Sequence, residues 1–345
     1  MRGQFPTTFR SVKSRKTGDD MKKPWLIVFA ISTATLAAAS PAQEAATDTW
    51  PNRPVEIVLP YSPGGTGDLL ARALAAKLEK KFRQPFIVQY RPGASGTIGA
   101  DRVARARPDG YTLLMGYMSE MALVPFVSET NYKISDFEPI VLAGTSPLVL
   151  TGNKNLPAKS LGELLRLLKK AERPYTYASA GFGSPQHFAG ELLNKEAGLH
   201  LAHVPYKSGP QVMQDLIGGY ADVYFGGIPS SIAQIRAGNI HAFGVTSNKR
   251  SKTLPDVETM AEAGIANFQM EGWFALFAPG KTPDAIVAKI NLAASEALQS
   301  KDVQDLLEEN GAEVVSMSRM ELKRFINAEA EKYRALAEEL SIRAK

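Results

Sequence analysis

The apolar and polar positions of this chain alternate between two periods. Val55-Glu56-Ile57-Val58-Leu59 is a short β-rich run that Pro60 ends. From Asp68 to Phe82 the apolar residues Leu69, Leu70, Ala73, Leu74 and Leu78 fall on one helical stripe. The same exchange repeats downstream. Strands are predicted over 86–90, 111–115, 175–178, 203–206, 221–225, 241–246 and 273–278, and helices over 99–106, 161–171, 185–197, 211–217 and 228–237. Residues 140–150 are apolar but interrupted at Gly144 and Pro147. After Ala278 only helices are expected (284–300, 303–310 and 319–340), with 312–315 as a possible short strand. Repeated strand–helix units argue for mostly parallel sheets covered by helices. At 345 residues, and about 150 residues per domain, the chain has room for two such bodies.

The first 42 residues read as an address rather than as structure. Lys22 and Lys23 precede an apolar stretch from Leu26 to Ala39, and Ser40-Pro41-Ala42 places small residues before a cleavage point near Ala42. The stretch is shorter than the about 20 residues a membrane span needs. Met21 is the expected true start, with residues 1–20 a leader. Cysteine is absent, so no lipid-anchored cysteine, disulfide or thiolate metal site is available. The expected product is soluble and exported, hence periplasmic in a bacterium with two membranes, and neither membrane-embedded nor a lipoprotein.

Charge changes meaning once this segment is set aside. The net charge is +5, but seven of the 40 basic and two of the 35 acidic residues lie in positions 1–42. The remainder carries 33 of each. A neutral body offers no electrostatic footprint for nucleic acid.

Chemistry concentrates where strands hand over to helices. In open α/β sheets ligands bind beyond the carboxyl ends of the strands, where helix N-termini present unpaired N–H groups and partial positive charge. Four loops have this form. The first contains Tyr61, Ser62, Gly64, Gly65, Thr66 and Asp68; the second runs from Arg91 to Gly99 and contains Ser95. The third contains Ser179, Gly181, Gly183, Ser184 and His187, and the fourth is Phe225-Gly226-Gly227-Ile228-Pro229-Ser230-Ser231. Glycine turns are common in α/β proteins, so each loop alone is weak; four together suggest a polar cleft. Tyr61, Tyr117, Phe182 and Trp273 are candidate apolar walls, with packing as the other reading of Trp273.

Other chemistries fit less well. Gly65-Thr66-Gly67 with Leu70 is an incomplete dinucleotide fingerprint. No G-x-S-x-G turn is present, and Ser184 and His187 begin one helix without an acidic orienter. His187, His200, His203 and His241 lack metal-ligand spacing, so no metal and no cofactor is expected. The basic residues Lys77, Lys80, Lys81 and Arg83 read as a solvated helix end.

The first two loops, with Trp50-Pro51-Asn52-Arg53-Pro54, Pro108-Asp109-Gly110-Tyr111-Thr112-Leu113-Leu114, Tyr177-Ala178-Ser179-Ala180-Gly181, His203-Val204-Pro205-Tyr206-Lys207, Val245-Thr246-Ser247 with Lys249-Arg250-Ser251, and Leu254-Pro255-Asp256-Val257, occur in the order found in one family. From Trp50 to Arg343 the chain resembles the Bug-type (Bordetella uptake gene) substrate-binding proteins associated with tripartite tricarboxylate transporters. The resemblance implies a two-lobed periplasmic binding protein, type II-like, with two crossovers. Lobe 1 would comprise 50–149 and 273–345, and lobe 2 would be 150–272. It further implies a non-catalytic receptor that holds a small organic anion by main-chain donors of the first loop, faced by residues 179–187. Its partners would be transporter membrane subunits or a sensor. Many members carry an Asp after the strand 221–225, where this chain has Gly226. That departure disfavours an amino acid ligand and leaves either room for a larger or aromatic carboxylate or simply a tight turn. The competing reading is an exported α/β hydrolase acting on carboxylic esters.

Overall fold

The computed structural model describes residues 49–343. The leader and signal segment, 1–42, lies outside the described residues. Among the described residues nine strands form one sheet. They are β1 (Val55–Leu59), β2 (Phe86–Tyr90), β3 (Thr112–Tyr117), β4 (Phe137–Asn153), β5 (Thr176–Ser179), β6 (Ala202–Pro205), β7 (Val223–Gly227), β8 (Ile240–Val245) and β9 (Glu271–Pro279). Their order is β2-β1-β3-β9-β4-β7-β5-β6, with β8 also paired to β4. Ten α-helices of the described residues accompany them: α1 (Thr66–Phe82), α2 (Thr97–Ala104), α3 (Val124–Val127), α4 (Leu161–Lys170) and α5 (Pro185–Ala197), then α6 (Gly209–Gly218), α7 (Ile228–Arg236), α8 (Asp284–Gln299), α9 (Lys301–Glu309) and α10 (Arg319–Glu339).

The predicted strands and helices lie within a few residues of the observed ones, because period and punctuation are local properties. Pairing is not local. β1 is parallel to β2 and β3, and β5 to β6 and β7. β9 is antiparallel to β3 and β4, and β4 is antiparallel to β7 and β8. The sheet is therefore mixed rather than mostly parallel. β4 and β9 return through its middle without the helical crossover that a parallel neighbour requires.

β4 organises the molecule. Its first part, Phe137 to Pro147, pairs with β9; its last part, Leu148 to Asn153, pairs with β7 and β8. Gly144 and Pro147, which read as interruptions, lie inside the strand: register shifts fall between Pro139 and Val141 and between Leu142 and Gly144, and Pro147 stays in register opposite Glu271. One continuous strand thus serves two groups of parallel βα units. The possible strand at 312–315 is reduced to one bridge, Thr145 with Glu313.

Burial supplies the stability. Val55, Ile57, Val58 and Leu59 of β1 are fully buried, as are Leu74 and Leu78 of α1; each such side chain contributes about 2 kcal/mol. The basic end of α1 is partly tied down, since Lys77 pairs with Asp302 and Lys81 with Glu296. Helix α10 starts with a capping box, in which Ser318 Oγ accepts from Glu321 N and the Glu321 side chain accepts from Ser318 N. None of the described helices is long and apolar enough to cross a membrane.

Candidate functional site

Parallel strands within each group end at the same edge, so β1, β3, β5, β6 and β7 deliver their following loops to one place. A cavity of about 430 Å³ opens there. Five helix N-termini border it: those of α1 at Gly65, α2 at Gly96, α5 at Ser184, α6 at Ser208 and α7 at Gly227. Their aligned peptide dipoles favour negative charge.

The start of α1 is left largely unsatisfied. Gly65 is its N-cap, with φ −97° and ψ 178° and no side-chain cap. Asp68 N and Leu69 N both donate to Gly65 O, at 3.1 and 3.2 Å. The N–H groups of Gly65, Thr66 and Gly67 have no partner among the described residues. Asp68 stabilises the loop: its carboxylate accepts from Gly64 N at 3.0 Å and Tyr90 Oη at 2.8 Å. Two close approaches explain glycines nearby. A Cβ on Gly67 would lie 2.8 Å from Phe274, and one on Gly227 would lie 2.8 Å from Thr66 Oγ1. The second of these lets the α7 loop abut the start of α1.

Aromatic rings form the apolar wall. Tyr117 and Phe274 stack with centroids 4.2 Å apart, and Tyr61 meets Tyr117 edge-on at 5.8 Å. Behind them lies Glu120, in a π-helical turn spanning Ser119–Leu123. It is fully buried, and its oxygens accept from Tyr61 Oη at 2.5 Å and Tyr117 N at 2.7 Å. Burial pushes the Glu120 carboxyl up to about 8 and raises the Tyr61 hydroxyl as well.

The residues singled out from the sequence fall into three places. Tyr61, Ser62, Gly64, Gly65, Thr66, Asp68, Ser95 and Ser184 line the cavity. Ser95 spends its hydroxyl across the cleft, donating to Phe182 O at 2.7 Å. Gly181 lines an adjoining outer groove that shares Ser62, Ser95 and Lys207 with the cavity.

Ser179, Gly183 and His187 fall away from both, because β5 and the cap of α5 turn them inward. Ser179 is fully buried and its Oγ lies 2.6 Å from His203 Nε2. His187 accepts from Gly183 N through Nδ1 at 3.2 Å and stacks on His203 at 4.1 Å. Desolvation holds both imidazoles down at about 4, and the neighbouring His187 ring further opposes a charge on His203. They are neutral packing groups. Ser184 caps α5 by accepting from His187 N at 3.3 Å.

Gly226 also lies outside the cavity. A Cβ there would collide with Ser231 Oγ and come within 2.9 Å of Tyr224 Cε1. Gly226 lies inside β7, paired with Val149, rather than in a turn, and the space that an absent side chain leaves is already filled. Trp273 points away from the cavity, donating from Nε1 to Glu329 at 3.1 Å and packing on Phe325. Its neighbour Phe274 is the wall residue, as strand alternation requires. Phe182 sits at the outer groove instead.

Sequence reading missed Glu120, Phe274, Gln186, Lys207 and Tyr224, of which all but Glu120 line the cavity. Gln186 Oε1 is buried and unpartnered. A signal existed for Glu120 alone, a single acid inside the apolar run from Met115 to Val127.

A mixed sheet whose two groups of βα units share a central strand, with helix N-termini around a polar cleft, defines the class of periplasmic solute-binding proteins. The chain belongs to the tripartite tricarboxylate transporter family receptors, whose profile matches residues 70–342. It is 36% identical to Protein BugT of Bordetella pertussis over 327 residues, covering 93% of this chain and 98% of that one. Among solved structures it is similar to Rhodopseudomonas palustris Rpa4515 with adipate (TM-score 0.83, 32% identity, 85% and 99% of the two chains). It is also similar to MatC from the same organism with bound malate (TM-score 0.79, 32% identity, 83% and 99%).

Proposed function

We propose that this protein is an extracytoplasmic receptor that captures a small organic carboxylate in the cleft and delivers it to a membrane permease. One observation carries the reading: the unpaired N–H groups of Gly65, Thr66 and Gly67 open into a 430 Å³ cavity walled by Tyr61, Tyr117 and Phe274. Amides suit a carboxylate because they donate without adding a charge that must itself be desolvated. The adipate and malate in the two similar structures are of this ligand class.

The cleft works by closure. We place lobe 1 at 50–149 with 273–345 and lobe 2 at 150–272, so that the halves pivot where β4 changes partners near Pro147–Leu148 and in the return segment before β9. A ligand touching both walls favours the closed arrangement, a population shift. Residues 1–42 serve export to the periplasm, with cleavage near Ala42. The remaining partners are transporter membrane subunits or a sensor.

Hydrolysis of carboxylic esters finds no support. Ser179 and His203 are within hydrogen-bond distance, but the serine is fully buried and lies outside the cavity.

A thermal-shift screen of aliphatic and aromatic mono-, di- and tricarboxylates tests the proposal. Ligand at a hundred times its Kd adds about 2.7 kcal/mol to the native state, which raises Tm by several degrees. The bound acid should be recovered unchanged. No shift with any acid, or turnover of an ester, would overturn the reading.

A further inference from the structure

The carboxyl of Glu120 has an unusual setting for a protein that takes an anion. It is fully buried, and it forms no ion pair among the described residues. It lies directly beneath the cleft lining: a Cβ on Gly96, which lines the cavity, would lie 2.6 Å from Glu120 Oε2 and 2.7 Å from Tyr61 Oη. An ionised carboxylate there opposes a second negative charge in the cleft, whereas a neutral acid does not.

The surroundings can serve either state. When Glu120 is ionised, Tyr61 donates to Oε2 and Tyr117 N to Oε1. When it is protonated, its own O–H donates to Tyr61 Oη, and the Tyr61 hydrogen turns to Ser95 O, 3.4 Å away. Ser119 Oγ donates to the same carbonyl at 3.0 Å, and Ser95 Oγ crosses the cleft to Phe182 O. The neutral state therefore adds a hydrogen bond to the loop that links the two walls.

We propose that Glu120 is a positioning residue that couples anion capture to a proton, remaining neutral beneath the bound carboxylate and holding Tyr61 toward the Ser95 loop. The inference rests on the receptor reading above. The titratable groups that pack around Glu120 are Tyr61 from the β1 loop, Tyr117 from β3 and Tyr132 following α3, whose Oη donates to Glu120 O at 2.7 Å. Helix α10 contributes Tyr333, which interacts with Tyr117. Asp101 of α2 acts on Tyr132 and is bound by Arg105. The phenols have raised values, again mainly through desolvation, so Glu120 is the group of this cluster that titrates between pH 7 and 9.

The sign follows directly. Below the Glu120 value of the free protein, near 8, the acid is neutral with and without ligand and affinity is highest. A bound anion raises that value further. Affinity therefore falls through about pH 8–9, and binding within this window takes up a proton. Charges separated by one side-chain layer repel by enough to shift affinity about tenfold.

The test is calorimetry from pH 6.5 to 9.5 on the full mature protein and its Glu120→Gln variant. The probe is whichever of malate, adipate, citrate or benzoate binds most tightly at pH 6.5. Buffers of different ionisation enthalpy count the protons. The proposal predicts about tenfold weaker wild-type binding at the high end and proton uptake near pH 8. It predicts a flat profile and no uptake for Glu120→Gln, with affinity close to that of wild type at pH 6.5. A flat wild-type profile, or an unchanged pH dependence in the variant, would overturn it. Absence of binding by both proteins at every pH would instead remove the receptor reading, and this inference with it.

Discussion

Gly65→Asp separates folding from binding at a single position. Gly65 has the extended backbone of an ordinary N-cap, and a Cβ built on it meets nothing within 4 Å. Asp is a preferred N-cap and improves on Gly by a few tenths of a kcal/mol, so the variant should fold with unchanged or slightly higher Tm. Its carboxylate would accept from the amides at the start of α1, where we place the ligand. It would also repel an incoming anion: two unit charges about 4 Å apart at an effective dielectric of about 20 interact by about 4 kcal/mol, about a thousandfold in affinity. Gly65→Asn has similar shape without the charge and competes only for hydrogen bonds, which predicts about a tenfold loss. Calorimetry with the tightest acid from the screen measures both, and a melting curve checks the fold. Affinity within threefold of wild type for Gly65→Asp, at unchanged Tm, would refute the placement of the anion.

Three further outcomes follow from the geometry. Ser95→Ala removes the bond to Phe182 O across the cleft and should weaken ligand affinity about fivefold, for about 1 kcal/mol, mainly through faster release in stopped-flow kinetics. Gly226→Ala should destabilise by about 1–3 kcal/mol in urea unfolding, because its Cβ meets Ser231 Oγ; adding Ser231→Ala, which removes a buried hydroxyl without a partner, should recover part of the loss, and simple additivity would contradict the collision. The neutral His187–His203 stack predicts acid sensitivity. Between the ordinary value near 6.5 and about 4 the unfolded chain binds protons that the native rings exclude, so stability falls as pH drops through this window. His203→Gln should flatten that fall.

Much of the fold was legible because it is local. The run 55–59 and the stripe from Leu69 to Leu78 carry their own periods, and Ser184-Pro185 marks the start of α5 unaided. The long-range pairing was not legible. β4 looked broken at Gly144 and Pro147, and nothing in its own residues shows that it exchanges partners halfway. The π-helical turn at 119–123 was hidden by burial on every side, which erases amphipathic period. The site divided along the same line. The first loop reaches the cavity as its glycines suggested, since a backbone site needs only a strand end and a helix start. In the third loop, identity misled: His187 stacks on His203 and Ser179 bonds to the same ring inside the fold, while the unremarkable Gln186 beside them lines the cavity. Trp273 and Phe274 differ only in strand parity, which sequence alone leaves undetermined by one residue.

The central claim is that peptide N–H groups at the start of α1 grip the anion. The crystal structure of the protein bound to its tightest acid tests it most directly. It should show a carboxylate oxygen within about 3.1 Å of the Gly65, Thr66 or Gly67 nitrogen, directly or through one ordered water. A carboxylate held by Lys207 alone, with these amides facing bulk solvent, would contradict it.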